Sequence, residues 1–272
     1  MIEADPHVRV RLDISYDGTD FSGWAVQPGR RTVQAELQAA LATVLRVPPL
    51  GLTVAGRTDA GVHATGQVAH LDLPGAVWSA AQARLIHKLA GRLDPDVRVV
   101  AATAIPADFD ARFSALWRRY EYRICDREAG VQPLRRRHVL AWRHELDVAA
   151  MAEAAEQLLG LHDFVSFCRM REAATTIRTL ARFDIRREAD EIVCTVQADA
   201  FCHSMVRSLV GALIAVGEHR RSIGWPVQLL ERDRRADDVA VAAARGLTLV
   251  AVGYPPDDQL AARAALTRAR RD

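Results

Sequence analysis

The chain has 272 residues, half of them hydrophobic, and a formal net charge of +2. That length allows one large domain or two of roughly 100–150 residues each. No run of about 18 apolar residues occurs, which excludes a membrane-spanning helix, and so small a net charge does not by itself argue for a nucleic-acid partner.

Met1 to His7 is short and acidic, unlike a signal peptide. Val8, Val10, Leu12, Ile14 and Tyr16 alternate with polar residues, which predicts a strand. Val33, Leu37, Leu41 and Val44 recur at helical spacing. Strands are expected near Thr53 and over 69–73. Ser79 with Gln82 forms a capping box for a helix running to about Gly91, and a strand follows over 96–101. The order β-α-β-β-α-β is the split βαβ, ferredoxin-like pattern.

A second unit starts near Trp117, with Tyr120, Tyr122 and Ile124 on one strand face and Arg119, Glu121 and Arg123 on the other. A helix is predicted from Asp147 to Leu159, ending at Gly160. Residues 177–186 and 192–198 form a hairpin. A helix from Ser204, a short one after Trp225 and a strand over 247–252 complete an approximate repeat of the first half. The expected fold class is α+β: two split-βαβ halves sharing one mixed, mainly antiparallel sheet. The expected boundaries are 1–107, 108–256 and a polar Arg/Ala-rich tail, 257–272, that either forms a short exposed helix or frays.

Cys125, Cys168, Cys194 and Cys202 are scattered without close pairs. They are expected to be buried thiols in a reducing, cytoplasmic setting, with neither a disulfide nor a zinc site. All but one of the 36 basic residues are arginine, Lys88 being the exception. Arg118-Arg119, Arg135-Arg136-Arg137 and Arg220-Arg221 are the candidate phosphate-binding clusters, against the ordinary reading of a solvated face.

The densest chemistry lies in Ala55-Gly56-Arg57-Thr58-Asp59-Ala60-Gly61-Val62-His63-Ala64. Glycines on both sides of one carboxylate let the chain turn tightly and be approached closely. The plain alternative is a polar turn whose aspartate caps its own backbone. Arg207 is unusual because its helical neighbours, Val210, Gly211 and Ile214, are small or apolar. A guanidinium there needs an anion, either a core carboxylate or a catalytic one. Tyr120 on its strand reads as a core residue from alternation alone.

The ten-residue string resembles the catalytic loop of the tRNA pseudouridine synthase A family. Tyr16-Asp17-Gly18-Thr19-Asp20-Phe21-Ser22-Gly23-Trp24 is similar to that family's opening motif. Thr32 to Leu37, Arg118 to Tyr122, His162-Asp163-Phe164, Phe167-Cys168, Met205-Val206-Arg207, Gly211 and Gly246-Leu247 follow in family order. The chain departs from the pattern at Ala25, at His203-Ser204, where an aromatic and Asn are common, and over Ala242 to Arg245.

The resemblance implies an isomerase that makes pseudouridine at positions 38, 39 and 40 of the tRNA anticodon stem-loop. Helices would cover one face of the sheet and the active-site cleft would lie between the halves. Asp59 would be the nucleophile or base, Arg207 its ion-pair partner, and Tyr120 the aromatic that stacks on the base and assists proton transfer. Arg57, His63, Asp17, Phe21 and Trp24 would contact substrate. It further implies a homodimer, tRNA as partner, and no metal, cofactor or membrane.

Two other readings fit parts of the sequence. One is a non-catalytic RNA-binding module on the same fold, which would have no need of Asp59. The other is an Asp-dependent nucleoside hydrolase, which usually needs a second carboxylate.

Overall fold

The computed structural model describes residues 6–169 and 175–269. The reading of the extreme N-terminus, apart from Pro6 and His7, and of the last three tail residues lies outside that range. By internal contacts the chain forms two compact units. The first runs to Leu116 and resumes at Val250; the second is Trp117–Leu249.

In the first unit, strand β1 (His7–Tyr16) is the middle strand between β3 (His63–Pro74) and β4 (Val97–Ile105), antiparallel to both. Its alternation has the predicted outcome: Val10, Leu12, Ile14 and Tyr16 are buried. A short β2 (Thr53–Val54) pairs with β3 at His70 and Ala69. Helix α1 (Val33–Leu45) buries Val33, Leu37, Ala40, Leu41 and Leu45, and the Thr32 side chain accepts from the Ala35 amide at its start. That bond satisfies one of the donors every helix N-terminus leaves over.

The capping box at Ser79 and Gln82 does not form. The chain enters α2 (Gly75–Ala81) directly from β3, so Ser79 lies inside this helix. It breaks at 82–84 and restarts as α3 (Leu85–Arg92), and neither helix has a side-chain cap.

In the second unit the strand order is β5 (Trp117–Cys125), β9 (Glu191–Ala198), β8 (Ile177–Glu188), β7 (Gly160–Asp163), all antiparallel. Strand β6 (Leu140–Ala141) runs parallel to β5, which makes the pairing mixed. The predicted hairpin is β8–β9, and its turn carries Ala189 at φ 49°. Helix α4 (Val148–Glu156) is capped by Asp147, whose carboxylate accepts from the Ala150 amide. Helix α5 (Met205–Gly217) is buried at twelve of its thirteen positions, Arg207 being the exception. A short α6 (Trp225–Gln228) follows, and β10 (Leu247–Gly253) leads the chain back to the first unit. The fold class is α+β, as the sequence predicts.

The tail forms α7 (Leu260–Arg268), and it is not wholly exposed. Leu260 and Ala264 are buried, and Leu260 joins a cluster with Ala55, Val68, Phe109 and Ala111. Among the described residues no helix is long and apolar enough to cross a membrane.

The cysteine reading needs one correction. Cys168 and Cys202 are joined as a disulfide, with Cα atoms 5.7 Å apart. The segments meet because the Arg169 amide donates to the His203 carbonyl, and a sequence separation of 34 gives no hint of it. Cys125 and Cys194 are buried thiols as expected, and burial pushes the Cys194 thiol up to about 12.

Candidate active site

The first unit brings together Asp17, Phe21, Trp24, Arg57, Asp59 and His63. The loop from Ala55 to Val62 links β2 to β3, with Asp59 partly exposed and Arg57 exposed at its outer side. It is fixed at both ends and in the middle. Ala55 donates its amide to Val68, the Thr58 carbonyl accepts from the Trp24 amide at 3.1 Å, and the Gly61 amide donates to Phe21 at 3.3 Å. The Val62 amide closes a turn onto the Asp59 carbonyl at 3.2 Å.

The opening motif therefore braces the loop that carries the carboxylate. Its glycines make this possible. A Cβ on Gly18 would lie 2.0 Å from the Val62 carbonyl oxygen, and Gly23 has φ 94°. Of the two glycines that bracket Asp59, Gly61 is required, at φ 77°, whereas Gly56 is outside the left-handed region and a Cβ there would meet nothing within 4 Å.

His63 is 4% exposed, and its Nδ1 accepts from the Gly18 amide at 3.0 Å. The same nitrogen lies 3.1 Å from Asp17 Oδ1, so the buried imidazole is bracketed by the Gly18 amide and the Asp17 carboxylate. Asp17 accepts from the amide and hydroxyl of Thr19, which closes a local turn. Phe21 and Trp24, expected to lean toward RNA, are buried at 3% and 1%. Their rings lie against Tyr16, and the Arg31 guanidinium covers Phe21 at 4.1 Å. They form the floor under the loop.

The second unit places Tyr120 and Arg207. Tyr120 sits opposite Val196 in the β5–β9 pair, and the Phe201 ring meets it edge-on at 5.2 Å. Arg207 is the one partly exposed residue of α5, and its Nε donates to the Ala242 carbonyl at 2.7 Å. The Ala242 amide returns a bond to the Arg207 carbonyl, and a Cβ on Gly211 would lie 1.8 Å from Ala240 O. The 240–242 segment is thus seated closely on α5 and fixes the base of the guanidinium. Tyr122, one turn of the pleat beyond Tyr120, donates to Ala243, and burial raises its phenol strongly.

The arginine clusters are partly consumed inside the unit. Arg118 is buried and donates to Asp199; Arg119 holds Gln197 and covers Trp117. Arg135 pairs with Glu191, Arg220 with Glu218, and Arg221 reaches Asp238 while covering Trp225. A surface cavity of about 690 Å³ near His144, Asp147 and His219 has Arg220 in its lining but none of Asp59, Tyr120 and Arg207.

Residues 154–255 match the family model described as tRNA pseudouridine synthase. The chain is 59% identical over 268 residues to the tRNA pseudouridine synthase A of Frankia casuarinae, covering 98% of this chain and 97% of that one. It is 56% identical to the tRNA pseudouridine synthase A of Streptomyces griseus, over 98% of this chain and 95% of the relative. Against the protein of that name from Mycobacterium leprae the identity is 54%, over 96% of this chain and 94% of the relative. Identity of this level over nearly the whole length, on a chain whose opening motif is folded against its Asp loop, decides the matter: the chain belongs to the tRNA pseudouridine synthase A family.

Proposed function

We propose that the chain converts uridine to pseudouridine at positions 38, 39 and 40 of the tRNA anticodon stem-loop, with Asp59 as its single reacting carboxylate and without a cofactor. Family membership supports the coarser statement on its own: the chain is a tRNA pseudouridine synthase, an isomerase. The observation that carries the role of Asp59 is its setting. The carboxylate sits partly exposed on a loop whose backbone is fixed by Val68, Trp24 and Phe21. A group held in one geometry before substrate arrives avoids reorganisation during the reaction.

In the reaction the C1′–N1 bond breaks and a C1′–C5 bond forms. The C5 proton leaves and N1 takes one up, so atoms and electrons balance without an oxidant or reductant. Asp59 can enter by attack at C1′, by attack on the uracil ring, or by removing the 2′ proton. All three routes require the detached base to be kept beside the ribose. In this reading the Tyr120 ring stacks on that base, a contact worth about 1–3 kcal/mol, and its hydroxyl assists removal of the C5 proton. The family resemblance assigns Arg207 the role of partner to the Asp59 carboxylate, a planar, bidentate role that lysine cannot copy. The homodimer, one tRNA spanning both subunits, and a cytoplasmic setting belong to the same reading and rest on the family resemblance.

The test uses tRNA tritiated at C5 of uridine. Wild-type protein should release tritium from positions 38–40, and Asp59→Asn should lower the rate by at least about 10³-fold while tRNA affinity changes little. Release of free uracil would support the hydrolase reading instead. Near-normal turnover by Asp59→Asn would remove Asp59 from its role.

A further inference from the structure

Beneath the Asp59 loop lies a chain of three buried polar side chains that the proposed reaction does not use. Tyr16, at the end of β1, is 4% exposed, Thr58 is 7% exposed and Gln67, on β3, is fully buried. The Tyr16 hydroxyl is 2.7 Å from Thr58 Oγ1. Gln67 Nε2 is 3.2 Å from the Tyr16 hydroxyl and 2.8 Å from the Gly56 carbonyl.

The direction of these bonds follows from the acceptors. A backbone carbonyl can only accept, so the Gln67 amide nitrogen, not its oxygen, faces Gly56. That nitrogen therefore also donates to Tyr16. Tyr16 accepts there and has one proton to give, which goes to Thr58 Oγ1. Gln67 Oε1 is occupied separately by the Val68 amide at 3.2 Å. The chain runs Gln67 to Tyr16 to Thr58 and ends at the residue next to Asp59. Burial pushes the Tyr16 phenol up to about 12, so it remains a donor throughout the physiological range.

We propose that Tyr16, Thr58 and Gln67 are positioning residues that set the height and orientation of the Asp59 loop from below, through a hydrogen-bond chain of fixed polarity. The proposal rests on the reading of Asp59 as the reacting carboxylate. Two of its three anchors, Gly56 and Thr58, lie on the loop itself, and the third, Tyr16, begins the opening motif. Removing a hydroxyl from such a chain leaves a buried donor or acceptor unmade, and the loop then has reason to shift. A displacement of about 1 Å at a reacting group can cost about 10²-fold in rate.

The experiment is a pair of substitutions at one position. Thr58→Val keeps the shape and removes the hydroxyl; Thr58→Ser keeps the hydroxyl and removes a methyl. Positioning predicts a fall in kcat of about 10–100-fold for the Val variant, with KM unchanged, and near-wild-type kcat for Ser. Tyr16→Phe should resemble the Val variant. Hydrogen exchange of the peptide covering 55–64, measured on the free protein, should quicken at least about tenfold in Thr58→Val and Tyr16→Phe but not in Thr58→Ser, with the rest of the first unit unchanged.

The exchange arm needs no substrate, so it stands even if the proposed reaction fails on the tRNA used. Unaltered exchange over 55–64 in the Val variant, or a Val variant faster than the Ser variant, would show that these groups are only packing and would overturn the proposal.

Discussion

The loop over 55–62 in the first unit and the loop over 199–204 in the second both lead into an element that carries site residues, but they reach their shapes differently. In the first, the demanding positions are glycines: Gly61 at φ 77° within the loop, Gly23 at φ 94° and the closely approached Gly18 in the motif that braces it. In the second, the left-handed residue is Ser204, at φ 65°, directly before α5. A serine at a helix start is ordinarily extended and caps the helix with its hydroxyl; here it makes no such bond. Instead the loop is tied by the Cys168–Cys202 disulfide and by the Arg118 side chain on Asp199. One loop has its geometry built into residue choice, while the other has it imposed by neighbours. Strain of the second kind persists only where surroundings over-determine the backbone.

If that contrast is correct, the largest effect of a methyl group should come at Gly18. In Gly18→Ala the new Cβ meets a backbone carbonyl, which cannot rotate away as a side chain could. Overpacking of this kind costs about 1–3 kcal/mol, and the upper end is expected. Because Val62 belongs to the Asp59 loop, kcat should fall by about 10²-fold or more. Gly56→Ala, in the loop itself, should leave both the melting temperature and kcat within error, since its Cβ meets open space. Equal effects at Gly18 and Gly56 in thermal melts and turnover would dissolve the distinction between braced and unbraced positions.

The same contrast explains what the sequence could and could not disclose. Period-two burial in β1 and period-3.6 burial in α1 are local consequences of residue order, so both are legible. So is the Asp147 cap, because its acceptor and donor are three residues apart. Gly61 could be read as a turn residue, but its partner Gly56 looked equivalent and is not, because only the backbone angle separates them. The break between α2 and α3 was hidden by a sound capping pattern at Ser79 and Gln82 that the strand-to-helix junction at Gly75 pre-empts. Phe21 and Trp24 carry the family resemblance as motif letters, and nothing local says that they point inward onto Tyr16. The disulfide and the Gln67–Tyr16–Thr58 chain join residues 34, 51 and 42 positions apart. Such contacts exist only once the fold has formed.

A smaller effect, of opposite sign, should sharpen the second half of the comparison. Ser204→Asn should stabilise the protein, because Asn tolerates the left-handed region several-fold better than other residues. Glycine would relieve the same strain but would add backbone freedom to the unfolded chain, offsetting much of the gain. The expected order of melting temperature is Asn above Gly, and Gly at or above wild type. The Asn gain should be about 1–3 °C, as a ΔΔG of about 0.5–1 kcal/mol gives for a protein of this size. A destabilised Ser204→Asn variant would mean that the serine side chain has a role its φ conceals.

The smallest expected effect concerns pH and the residue that lies under the start of the Asp59 loop. His70 on β3 is 6% exposed, and its Nδ1 accepts from the Ala111 amide at 3.0 Å, with Phe109 edge-on to the ring. Phe109 and Ala111 belong to the cluster that also holds Ala55, where the loop begins. Protonation would put a hydrogen on the nitrogen that accepts the amide. Burial holds the His70 pKa below the ordinary value, the Arg9 charge adds to that, and Asp110 and Asp72 oppose it. A base whose folded pKa is depressed is kept neutral by the native state. Its contribution is complete above the unfolded value of about 6.5 and is lost as pH falls from there to the lowered native value. Wild-type protein should therefore lose melting temperature between pH 7.5 and 5.0, and His70→Gln should lose less over the same interval, although it starts lower. Parallel pH profiles for the two proteins would show that His70 takes up its proton in the folded state as easily as in the unfolded chain, and that the amide of Ala111 does not depend on it.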